Sequence, residues 1–262
     1  MRDLSKPAMP LHDAITAAIR SPARQPALIA YITAGFPDKE TFRSQLLAVA
    51  EAVDVVEVGV PFTDPMADGT TIQRSSRRAL DQGVSLRWIL GELTAMNPRP
   101  RAPVLLMSYL NPLLAFGLDK LPQAAAKAGV AGFIIPDLPF EECDEMRAAL
   151  TEQGIALVQF VTPVSPDERM QKLAHASSGF VYAVTMTGTT GKNVEAPQDV
   201  LDYFARARKL SPLPVCAGFG IRSAAQIRKL APFVDGVIVG SALVEVIERG
   251  EDPAAFLRGL RD

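Results

Sequence analysis

Cysteine and histidine are scarce in this chain, with two of each in 262 residues. Cys143 and Cys216 stand far apart and lack the short spacing of a zinc or redox motif, which argues against a metal staple or a disulfide framework. That usage suits a reducing compartment, and the chain is read as cytoplasmic. Both histidines, His12 and His175, fall in helical segments and read as solvent-facing helix residues, so no metal is expected. No apolar run reaches membrane-spanning length, and Met1-Arg2-Asp3-Leu4-Ser5-Lys6-Pro7 lacks the apolar core of a signal peptide; no membrane partner is expected. The formal net charge is only −2, which offers no basic face to nucleic acid. Low-complexity tracts and linkers are missing too, and residues 1–262 read as a single domain.

Apolar residues, by contrast, make up 48% of the chain, enough for a large core. They fall into short β-branched runs of about five residues, each followed by a helical segment: 28–32, 53–58, 103–107, 131–135, 155–160, 180–184, 213–217 and 234–239. Strands alternating with helices imply parallel pairing. Eight such units in about 230 residues indicate an α/β fold, the closed (β/α)8 TIM barrel, rather than an open doubly wound sheet. An extra N-terminal helix, Leu11 to Arg20, carries Leu11, Ala14, Ile15, Ala18 and Ile19 on one face and is expected to plug the barrel bottom. Asp38 is read as the cap of the helix that runs to Ala52, and Ser108 to Gly117 as an apolar loop.

The chain is organised around Val53 to Gly69. Its strand carries an acid, Glu57, near the carboxyl end, where burial without a partner raises the pKa or costs several kcal/mol. Eleven positions on, Asp68-Gly69 precedes a helix, so a second carboxylate can return over the strand end. Two acids at one mouth suggest proton transfer. Plainer readings are an N-cap role for Asp68 and a structural ion pair with an arginine for Glu57. In such barrels the site lies among the loops after the strands. Gly218-Phe219-Gly220 after strand seven and Gly240-Ser241 after strand eight occupy the usual barrel phosphate site, which Gly188 and Gly191 in the polar loop 185–197 could complete; tight turns alone would also account for these glycines. No strand core contains lysine, which disfavours a Schiff base. Carboxylate acid–base chemistry on a small phosphorylated molecule remains, and Tyr31, Ile135, Tyr182 and Phe219 suggest that this molecule is partly aromatic.

With those residues in place, the chain resembles the tryptophan synthase α subunit family over almost its whole length. The run Val56-Glu57-Val58-Gly59-Val60-Pro61-Phe62-Thr63-Asp64-Pro65-Met66-Ala67-Asp68-Gly69 is similar to that family's signature. Ile32-Thr33-Ala34-Gly35, Met107-Ser108-Tyr109-Leu110-Asn111-Pro112, Pro136-Asp137-Leu138-Pro139, Thr187-Gly188-Thr189-Thr190-Gly191, Gly218-Phe219-Gly220-Ile221 and Val239-Gly240-Ser241-Ala242 follow in the family's order. The resemblance implies a carbon–carbon lyase of L-tryptophan biosynthesis, which cleaves indole-3-glycerol phosphate to indole and glyceraldehyde 3-phosphate without a cofactor of its own. It implies that Glu57 protonates C3 of the indole and takes the glycerol hydroxyl proton, while Asp68 accepts from the indole N–H. It assigns the phosphate to Gly191, Gly220, Gly240 and Ser241, and adds Tyr31, Tyr109, Tyr182 and Phe219 to the pocket. A pyridoxal-phosphate β subunit, joined in an α2β2 heterotetramer, would receive the indole, with Leu110 to Phe116 and Pro65 as candidate contacts and loop 185–197 as a lid. Thr63, Thr185 and Arg222 stand where the family often has serine; Arg222 either adds charge near the phosphate or points to solvent. Two other readings are a phosphosugar isomerase and a non-catalytic activator of the β subunit.

Overall fold

The structure is a computed structural model that describes residues 10–21, 26–185, 197–218 and 220–261. Eight parallel strands close on themselves in sequence order, β1 to β8, with β8 pairing back on β1. The chain enters through helix α1 (Leu11–Ile19), then β1 (Ala27–Thr33), α2 (Phe42–Ala52), β2 (Val55–Gly59), α3 (Thr70–Asp81) and α4 (Leu86–Ala95). Next come β3 (Val104–Met107), α5 (Leu110–Phe116), α6 (Leu121–Ala128), β4 (Val130–Ile134), α7 (Asp144–Glu152), β5 (Ala156–Val161), α8 (Asp167–Ala176) and β6 (Val181–Val184). The circuit ends with α9 (Gln198–Leu210), β7 (Val215–Gly218), α10 (Ala224–Leu230), β8 (Gly236–Val239), α11 (Ser241–Glu248) and α12 (Pro253–Gly259).

The two-residue period of the strands divides the apolar residues into two cores. One fills the barrel with Ile29, Val55, Leu105, Ala131, Phe180, Cys216 and Ile238, and Ile15 and Ile19 of α1 close it from below. The N-terminal plug is therefore present. The other core lies between sheet and helices, and takes Val56 and Val58 from β2, Leu106 from β3 and Phe133 from β4. Val56 and Val58 face the helices, so Glu57 between them must face the barrel interior. Its register partner on β1 is Tyr31, which points the same way.

Several expected elements change at their edges. The stretch from Leu110 to Phe116 is a helix and not a loop. Pro112 lies in its first turn, where a missing N–H costs nothing, and Gly117 at φ 104 stops it by donating to the carbonyls of Leu113 and Leu114. Asp38 makes no side-chain cap; a short 3-10 turn, Lys39–Thr41, intervenes before α2. Strand two starts at Val55, because Asp54 is used at the bottom edge, where its carboxylate accepts from the Leu28 N–H at 2.8 Å and from Arg261 at 2.7 Å.

Candidate active site

Glu57 is fully buried, and among the described residues neither of its carboxylate oxygens has a hydrogen-bond partner. Burial alone pushes this carboxyl up to about 8, so it holds its proton at neutral pH. It opens onto a cavity of about 290 Å³ at the carboxyl ends of the strands. Asp68, from the loop after β2, lines the same cavity. It is not the cap of α3: Gly69 holds the N-cap position with no side-chain bond. Burial raises the Asp68 carboxyl to about 6, against the opposing pull of the Tyr109 hydroxyl beside it. Near neutrality the site thus pairs a protonated acid with an ionised one, the separation that acid–base chemistry needs.

Two tyrosines form the walls, and two glycines make room for them. A side chain on Gly59 would place Cβ 2.0 Å from the Tyr31 hydroxyl, and one on Gly218 would place it 2.7 Å from the Tyr182 ring. The Tyr31 hydroxyl accepts from Thr33 Oγ1 at 3.4 Å, and Thr33 shares a 2.7 Å hydrogen bond with Ser75 of α3, so the ring is tied to the helix that follows Asp68. Tyr182 is flanked by Phe160, with ring centroids 5.0 Å apart. Burial, and then the charges of the two acids, raise both phenols, which stay protonated. Gly218, Gly220, Gly240 and Ser241 line the same cavity. Helix α11 starts at Ser241, and its first free N–H groups and the positive end of its dipole suit an anion. Among the described residues no group of three or more His, Cys, Asp or Glu could hold a metal ion.

The sequence model for the tryptophan synthase alpha chain matches residues 17–258. The chain belongs to the tryptophan synthase alpha chain family. It is 46% identical to the alpha chain of Nitratidesulfovibrio vulgaris over 90% of this chain and 92% of that one. Against the alpha chain of Desulfovibrio desulfuricans the identity is 44%, with 90% and 93% covered. Among solved structures, tryptophan synthase of Mycobacterium tuberculosis superposes with a TM-score of 0.84 at 36% identity, covering 96% of this chain and 95% of that one. A mutant tryptophan synthase alpha-subunit of Pyrococcus furiosus gives 0.81 at 36% identity, with 90% and 96% covered.

Within this alpha-chain barrel, the cavity brings together Glu57, Asp68, Tyr31, Tyr182, Gly220, Gly240 and Ser241. No described arginine pairs with Glu57, whose oxygens have no partner among the described residues. Tyr109 is displaced from the expected set: it stands behind Asp68, not on the cavity wall, and its hydroxyl accepts the Ala67 N–H at 2.9 Å. Ile135 turns into the outer core and leaves the wall to Pro136. Gly188, Gly191 and Phe219 lie outside the described residues, as does all but the ends of loop 185–197. Arg222 follows neither expected course, since its guanidinium pairs with Glu245 at 2.7 and 2.9 Å. Ile72, Met107, Phe160 and Ile238 line the cavity without having been singled out from the sequence. The histidines stay away from it: His12 meets the Gly154 carbonyl at 3.1 Å and His175 that of Gln171 at 2.8 Å.

Proposed function

We propose that the chain cleaves indole-3-glycerol phosphate to indole and glyceraldehyde 3-phosphate, with Glu57 and Asp68 as its catalytic residues. The observation that carries the assignment is the buried Glu57 carboxyl, unpartnered and opening onto a cavity that Asp68 shares. A carboxyl left without a protein partner is free to exchange a proton with a bound molecule, and at about 8 it starts protonated. Glu57 delivers that proton to C3 of the indole, which becomes tetrahedral, and positive charge develops at the ring nitrogen. Asp68, ionised, accepts the indole N–H and steadies this charge. The bond from C3 to the glycerol carbon then breaks, its electrons restore the indole, and the glycerol hydroxyl proton returns to Glu57 as the aldehyde forms. Atoms and charge balance without a cofactor in this chain.

Tyr31, Tyr182 and Phe160 flank the aromatic ring, and Gly220, Gly240 and Ser241 take the phosphate, with Gly191 assigned to it by the family resemblance. Tyr109 acts on substrate through Asp68.

As an alpha chain, the protein works with a β subunit, which carries pyridoxal phosphate and consumes the indole; we assign the pair an α2β2 assembly. Exposed apolar side chains support a face for that partner. Met66 is 87% exposed, and Leu114 on α5 and Leu118 just beyond it are 49% and 39% exposed. The loop and the helix adjoin, since Phe62 packs on Tyr109 at 5.4 Å, and the loop reaches the cavity through Ala67 and Asp68. No described helix is long and apolar enough to cross a membrane, and the two free, buried thiols are in keeping with the cytoplasm.

The test is indole release from indole-3-glycerol phosphate by the purified chain, with and without a β subunit. Slow release alone and faster release with the partner are expected. A wild-type chain that is silent in both conditions overturns the assignment.

A further inference from the structure

We propose that Glu245 is a positioning residue that locks the acid end of the cavity to its phosphate end. The inference rests on the reaction proposed above, and it concerns a carboxylate that touches no part of the cavity. Glu245 lies in α11, the helix that starts at Ser241. Its carboxylate takes hydrogen bonds from two other segments. Arg222 donates through Nη1 to Oε2 at 2.7 Å and through Nη2 to Oε1 at 2.9 Å, and Thr71 Oγ1 donates to Oε1 at 3.3 Å. Thr71 is the second residue of α3, which begins directly behind Asp68-Gly69. Arg222 is two residues beyond Gly220. One carboxylate therefore joins the helix behind Asp68, the strand-seven loop that carries Gly220 and the helix that presents Gly240 and Ser241.

The geometry around this carboxylate is that of a fixed joint. The Arg222 and Glu245 side chains keep only 27% and 26% of their exposure, whereas most ion pairs among the described residues are more open. A forked guanidinium–carboxylate pair fixes orientation as well as distance. The Arg222 backbone is held as well, because its N–H donates to Gln226 Oε1 at 2.8 Å and Ser223 forms a capping box with Gln226 at the start of α10. Arg222 pulls the Glu245 carboxyl below its ordinary range, so the joint stays charged in neutral solution. A second rung runs parallel to it: Arg74 grips Glu248 at 2.7 and 2.6 Å. Thr71 and Arg74 are three apart on α3, as Glu245 and Glu248 are on α11, so the two helices are stitched along one face. Gln73 of α3 also donates to the Asp68 carbonyl at 2.9 Å, which passes the position of α3 on to the acid itself. A substrate held by its phosphate at one end and cleaved at the other needs those ends at a fixed separation; a misplacement of about 1 Å costs on the order of 100-fold in rate.

The full-length chain is tested as wild type, Glu245→Gln, Glu245→Ala, Arg222→Met, Arg222→Lys and Thr71→Val. Turnover of indole-3-glycerol phosphate is read with inorganic phosphate affinity by calorimetry and with Tm. Arg222→Met is expected to raise KM and weaken phosphate about fivefold at nearly unchanged kcat, and Arg222→Lys to recover part of that loss. Thr71→Val is expected to lower kcat about threefold with phosphate affinity kept, and Glu245→Ala to show both effects. Glu245→Gln keeps the size and hydrogen-bonding capacity of the side chain and so reports on a folded protein if the alanine variant does not fold. If the Glu245 variants lose Tm while kcat, KM and phosphate affinity all stay within about twofold of an active wild type, the inference is overturned and the joint is only structural. A wild type that binds phosphate but never releases indole overturns the reaction reading, and the phosphate arm alone then decides on the joint.

Discussion

The two ends of the barrel each hold a cavity, and the two are of similar size. The lower cavity, about 360 Å³, is lined by Leu11, Ala14, Leu93, Pro103 and Ala131 with Arg99 and Arg101 at its edge. Its charges are already in use. Arg99 donates to the Ala128 carbonyl at 2.6 Å and so caps α6, while Arg101 faces Glu51 at 3.8 Å. The upper cavity, about 290 Å³, holds a fully buried carboxyl with no partner among the described residues and a second acid beside it. Volume does not separate the two; unsatisfied polar chemistry does. A buried group that the fold leaves unpaired costs stability, and it is kept where a ligand will pair with it.

That contrast breaks first at Glu57. Glu57→Gln keeps the shape of the side chain but cannot shuttle a proton, so kcat is expected to fall by about 10⁴ while inorganic phosphate binds as before. Comparable turnover in the variant would remove Glu57 from its role. Next comes Asp68→Asn, which keeps a carbonyl acceptor but no charge; a loss of about 10³ in kcat is expected, since a neutral acceptor stabilises the developing charge poorly. A loss below about tenfold would reduce Asp68 to a wall residue.

The lower end should answer in stability and not in rate. Ile15 of α1 is fully buried beneath the barrel and touches no part of the upper cavity. Ile15→Ala is expected to cost about 3 kcal/mol in urea unfolding, with kcat and KM at 25 °C within twofold of wild type. A tenfold loss in kcat from this site would mean that the two ends of the barrel are coupled.

Much of the upper end was legible in the sequence, and the reasons are local. Glu57 stood out because an acid interrupts a β-branched run, and the period of two then turns it inward. Phe160 and Met107 did not stand out, because an apolar residue at a strand's end reads the same whether it meets the core or a ligand. Tyr109 could be placed near the site but not behind Asp68, since that depends on the path of the loop after β2. Helix α5 was hidden by Pro112, which signals a loop unless its position in the first turn is known. The Arg222 partner, Glu245, is 23 residues away on helix α11, a pairing no local pattern encodes.

The smallest expected effect concerns stability against pH, and its sign follows from the two acids. Glu57 rises on folding from the ordinary carboxylate range to about 8, and Asp68 to about 6, mainly because burial disfavours their charged forms. Between about pH 4.5 and 8 the folded chain therefore binds more protons at these groups than the unfolded chain does. Their contribution is greatest below the unfolded values and is lost as pH climbs through the folded ones. Between pH 5.5 and 7.5 the wild type should lose about 2 kcal/mol in urea unfolding relative to Glu57→Leu, which removes the titration and fills the space with an apolar side chain. Arg99→Ala, at the lower end, should run parallel to wild type over the same range. If Glu57→Leu runs parallel to wild type instead, Glu57 does not titrate in this window, and its burial in the folded chain is relieved by a partner such as water.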